Sequence, residues 1–103
     1  MEFNLKKEPS KISVQSKIKA PKKRTIRQCA SVLNSYGDLI DYGKCTGSRF
    51  EFSVDVKRDK INSLVDDLRH VPFLDSNVKF TGASINELPY RTPARVNVLL
   101  TFI

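Results

Sequence analysis

Cys29, Cys45 and His70 are the side chains of this 103-residue sequence best suited to nucleophilic or metal chemistry, and their spacing supports neither. The cysteines form no Cys-x-x-Cys pair, so neither a zinc site nor a disulfide framework is signalled. Nucleophilic work by a thiol would also need a base, an orienting group and a shaped pocket. The single histidine follows Arg69 at the end of a predicted helix, where a cation suits the helix dipole. Both cysteines are therefore expected to be buried thiols. Asp66 and Asp67, and Asp55 with Asp59, are carboxylates near Arg58 and Lys60, a pattern of solvated charge, and they lack the spacing of a calcium loop. The glycines at 37, 43, 47 and 82 make no phosphate loop. The expectation is a protein with no catalytic residues, no metal and no cofactor.

Charge carries the strongest signal. The chain holds 18 Lys and Arg against 11 Asp and Glu, a net +7. All of that excess lies in residues 1–28, where Lys6, Lys7, Lys11, Lys17, Lys19, Lys22, Lys23, Arg24 and Arg27 face Glu2 and Glu8 alone. Residues 29–103 are neutral. Charge concentrated in one segment raises the local potential and favours contact with polyanions. The candidate nucleic-acid contacts are Lys17, Lys19, Lys22, Lys23, Arg24 and Arg27, with helix amides adding an anion site.

The elements that must position these cations follow from periodicity. Residues 1–10 read as a flexible basic arm, and 11–103 as one domain. Apolar residues at even positions from Ile12 to Ala20 predict a strand over 11–20 whose wet face carries Lys11, Lys17 and Lys19. Pro21 ends it. Thr25 with Gln28 makes a capping-box pattern, and Ile26, Cys29, Ala30, Leu33 and Tyr36 form the stripe of a helix over 25–36, closed by Gly37. Strands over 39–44 and 49–57 meet at Thr46-Gly47-Ser48 as a hairpin. Asp59 is placed to cap a second helix that Pro72 ends near His70. Strands over 77–86 and 95–103 flank a loop with Pro89 and Pro93. The order predicts an α+β fold, a ferredoxin-like split βαβ sandwich (βαββαβ) with an additional C-terminal antiparallel strand. Helices would cover one face. The open face would show Ser13, Gln15, Lys17 and Lys19 beside Arg49, Glu51, Ser53 and Asp55.

An RNA-recognition motif has the same strand order, but it is marked by outward aromatics on its third strand. Here Phe50 and Phe52 share a face with Val54 and Val56, which reads as core. The last elements, over residues 49–103, are similar in order to the small archaeal chromatin proteins of the Alba type, whose loop reaches to DNA. Their Gly-x-Ala-Ile segment is replaced here by Val56-Lys57-Arg58-Asp59, and this chain has an extra strand.

The expected function is that of a small non-enzymatic binding protein, contacting nucleic acid or another polyanion without sequence-specific readout. The alternative is a protein-interaction or assembly domain, self-associating through the C-terminal strand and the Pro-rich loop, with Tyr90, Arg91, Leu99 and Ile103 as contacts. That reading rests on a final strand apolar on both sides, which is either central in its sheet or covered by a partner. With no run of about 18 apolar residues and no apolar signal core after Met1, no membrane partner is expected and the location is expected to be cytoplasmic.

Overall fold

The computed structural model describes residues 10–81 and 93–103. Residues 1–9 of the arm, residues 82–86 of the expected fourth strand, and Tyr90 and Arg91 lie outside the described residues, as does the Cys45 side chain. The elements are β1 (Ser10–Gln15), α1 (Lys22–Tyr36), β2 (Gly37–Thr46), β3 (Arg49–Lys57), a 3-10 turn (Arg58–Lys60), α2 (Ile61–Leu68), β4 (Lys79–Thr81) and β5 (Pro93–Thr101).

One five-stranded sheet runs in the order β2-β3-β5-β1-β4. The element order matches the expectation, but the strand order corrects it. β5 is not appended at an edge. It lies between β3, to which it is antiparallel over nine positions from Arg49↔Thr101 to Lys57↔Pro93, and β1, to which it is parallel from Ser10↔Val96 to Gln15↔Thr101. The sheet is thus mixed. As a central strand β5 is flanked on both edges, and its helix-facing side is buried while Leu99 on its open face is half-buried.

Period-two burial fixes which face is dry. Ile12 and Val14, then Phe50, Phe52, Val54 and Val56, then Ala94, Val96, Val98 and Leu100, are all buried, while their odd-numbered neighbours are exposed or half-buried. Cys29 and Leu33 of α1 and Ile61, Leu64, Val65 and Leu68 of α2 complete the same cluster. Gly47, with φ +61, makes the tight β2–β3 turn that a residue with a side chain would resist. Gly37 is needed for a different reason. Its backbone is extended, but a Cβ there would lie 2.2 Å from the Asp55 carbonyl oxygen.

Three boundaries differ from expectation, each for a local reason. β1 ends at Gln15, because Ser16 bridges to Leu74 and the Lys17 amide donates to the Phe73 carbonyl, turning the chain off the sheet. Lys17 and Lys19 are therefore on a turn and not on a strand face. α1 begins at Lys22 with Pro21 as its N-cap; Thr25, expected as the cap, is buried a turn inside and donates its hydroxyl to the Pro21 carbonyl. Asp59 sits in the 3-10 turn and caps nothing with its side chain.

Candidate nucleic-acid interface

The end of the sheet where β1 and β5 finish gathers the expected cations. After Ser16, whose amide donates to Thr101 at 2.9 Å, residues 17–20 form a turn closed by the Ala20 amide on the Lys17 carbonyl. Lys19 takes φ 61, a left-handed conformation costly for a residue with a side chain. The chain past β5 is pinned to the same turn, since the Ile103 amide donates to the Ser16 hydroxyl at 3.2 Å and that hydroxyl donates to the Lys17 carbonyl. Ile18 and Ile103, two of the three exposed large apolar residues among the described ones, thus stand at this end, the third being Ile40.

α1 starts beside them. Lys22, Lys23 and Arg24 occupy its first turn, where there is no acidic residue. The first helical bond is the Thr25 amide to the Pro21 carbonyl, so the amides of residues 22–24 have no partner within the helix. A helix N-terminus carries about half a positive charge, so three cations there oppose the dipole. The Lys22 ammonium lies 5.6 Å from the centroid of the Phe102 ring, a contact worth about 0.5–1 kcal/mol at an exposed site. One turn on, Lys23 and Arg27 flank a shallow hollow of about 300 Å³ with Ile26 and Ala30. Lys17, Lys19, Lys22, Lys23, Arg24 and Arg27 are all exposed, and among the described residues none has a carboxylate at ion-pair distance. Arg49, which opposes Thr101 across β3 and β5, belongs to this end too and was read from the sequence only as an open-face residue.

The opposite end is compensated. Arg95 and Asp55 form an ion pair at 2.5 Å, with a second contact at 3.3 Å. Register places Asp38 opposite Asp55. The hydrogen bond and charge of Asp55 raise the Arg95 pKa further.

Two further hollows exist. One of about 410 Å³ opens between the helices, lined by Gln28, Ser31, Val32, Asp67, His70, Val71 and Pro72. Its polar groups are partly engaged: Tyr36 donates to Asp67, and His70 Nδ1 lies 2.9 Å from the Asp66 carbonyl. Gln28 Oε1 is buried there with no hydrogen-bond partner among the described residues. The other, of about 290 Å³, lies on the open face over β5, β1 and β4. It is not legible in the sequence, because it depends on β5 pairing with β1.

Cys29 is fully buried and burial pushes its thiol up to about 12, leaving it protonated and unreactive at neutral pH. Among the described residues no three His, Cys, Asp or Glu side chains come together as metal ligands, and no helix is long and apolar enough to cross a membrane. Of the expected assembly contacts, Leu99 is half-buried on the open face and Ile103 is exposed just past β5. Comparison with models of known protein families gives no match, and neither the curated proteins nor the solved structures yield one.

Proposed function

We propose that this is a small, non-enzymatic binding protein that contacts nucleic acid or another polyanion through Lys17, Lys19, Lys22, Lys23, Arg24 and Arg27, by phosphate contacts without sequence readout. One observation carries the reading: six exposed cations, with no carboxylate at ion-pair distance among the described residues, lie on one turn and the helix start that follows it, against the helix dipole. Phosphate oxygens are acceptors that both the ammonium groups and the amides of residues 22–24, which have no partner within the helix, can serve. Within this reading the fold is a ferredoxin-like split βαβ sandwich whose C-terminal strand has entered between the two central strands, and the protein is cytoplasmic.

Salt decides the matter. Each phosphate contact contributes about 0.7 to the slope of log affinity against log salt for single strands and about 0.9 for duplex. A variant with Lys22, Lys23 and Arg24 all changed to alanine is expected to lose about two units of slope and about 100-fold in affinity at roughly 0.1 M salt. Unchanged binding by that variant, or no binding of a labelled oligonucleotide by the wild type at low salt, overturns the proposal. The assembly reading retains one supporting observation, the exposed Ile103. Light scattering that shows a monomer at all concentrations removes it.

A further inference from the structure

The open-face hollow is built from adjoining cross-strand neighbours. Leu99 of β5 opposes Ser13 of β1, which in turn opposes Lys79 of β4; Thr101 opposes Gln15, and Asn77 closes the side. Ser13, small and central, leaves the space that a larger side chain in its place would fill. At about 290 Å³ the hollow is at the low end of small-ligand sites, enough for one heterocyclic ring. Its floor is the half-buried Leu99, and its rim carries two amides and two hydroxyls, groups that both donate and accept. That chemistry suits the edge of a ring bearing both donors and acceptors better than it suits a bare anion.

One cation lines the hollow and two lie nearby in the fold: Lys79 is in its lining, Arg49 opposes Thr101 from β3, and Lys17 stands in the turn two residues beyond Gln15. Glu51, opposite Leu99 on β3, is exposed and would keep phosphates off that flank. We infer that the hollow receives one unstacked nucleobase of a single-stranded nucleic acid whose phosphates run past Lys79 toward the Lys17–Arg24 cluster. The inference rests on the phosphate-binding reading above and adds to it a base subsite and a strandedness. Bases in a duplex keep their edges paired and stacked and cannot enter such a site. A ring over an apolar floor with its edge hydrogen-bonded, and its phosphates in a cationic track, is a physically consistent way to hold a single strand.

Titration of the full chain with four probes tests it: a short mixed-sequence single strand, the same strand with abasic sites, the matching duplex, and inorganic polyphosphate. The single strand is expected to bind about tenfold more tightly than its abasic counterpart at equal salt, about what one or two net hydrogen bonds contribute. Asn77→Ala and Gln15→Ala should each cut that excess by about two- to tenfold and leave polyphosphate affinity unchanged. Ser13→Leu, which fills the hollow and removes one rim hydroxyl, should abolish the excess while leaving polyphosphate affinity unchanged, and that unchanged affinity guards against a misfolded variant. Equal affinity for the single strand and the abasic strand, or tighter binding of the duplex, overturns the base subsite while the charge reading stands. Failure of all four probes at low salt overturns the charge reading itself.

Discussion

The two ends of α1 are built on different principles. At its exit, Tyr36 donates to Asp67 of α2 and Gly37 packs against the backbone of Asp55, so the helix is fastened to both of its neighbours. There is no basic residue in that last turn. At its entrance, three consecutive cations sit where the dipole disfavours them, no side chain caps the helix, and the described residues offer no carboxylate in return. The exit is arranged for the fold. The entrance concentrates charge against the dipole, with the Lys22–Phe102 contact as its offset among the described residues.

Reversing the entrance is the most severe way to break this contrast. Lys23→Glu together with Arg24→Glu should reduce oligonucleotide affinity by at least about 100-fold at roughly 0.1 M salt. The same pair should leave the protein as stable as the wild type or more so, by about 0.3–1 kcal/mol per site, since acidic groups suit a helix start. A loss of stability parallel to the loss of binding would mean the cations serve the fold after all. At the exit the reverse is expected. Gly37→Ala must push apart the start of β2 and β3, at a cost of about 2–3 kcal/mol read from the urea midpoint, with affinity per folded molecule unchanged. Within the helix body, Cys29 should resist thiol reagents in the native protein and react once the chain is unfolded, as peptide mapping would show; rapid native labelling would contradict its burial.

Tyr36→Phe is the mildest test and depends on pH. The hydrogen bond to Asp67, then burial and the charges of Asp67 and Asp66, raise the Tyr36 phenol above its ordinary value near 10. The folded phenol holds its proton more tightly than the unfolded one, so its contribution is whole below about pH 10 and fades as pH climbs through the raised value. Wild type and variant should differ slightly in melting temperature at neutral pH and converge in strong alkali. A gap that persists there would assign the effect to packing.

Much of this contrast was legible in the residues. The alternation of Phe50 to Val56, the stripe of Cys29 and Leu33, and the Gly47 turn are local patterns, and the structure keeps all three. The six cations could be named from the count alone. Their placement could not, because the even-odd rhythm through Ile18 continues past the point where Ser16 bridges to Leu74 and the strand stops. Lys22 to Arg24 looked like a lead-in because a threonine three residues before a glutamine imitates a cap, whereas Thr25 is buried and bonded back to Pro21. The insertion of β5 and the hollow beside it arise from pairing between residues at opposite ends of the sequence. The two-sided apolar pattern of β5 was the trace they left, and it pointed equally to a partner.

β5 also has a consequence for how the molecule comes to be. It follows the other described strands in sequence, yet among the described residues β2 and β3 join β1 and β4 in the sheet through it. Until it arrives, the nascent protein holds two hairpin-sized fragments with unsatisfied edges rather than one sheet. Closing them requires contacts between the most distant parts of the chain, which slows folding and prolongs the exposure of sticky strand edges. A ribosome stalled before Pro93 would therefore carry two unjoined halves, and the lysines near the start of the chain would be repelling neighbouring copies during that interval.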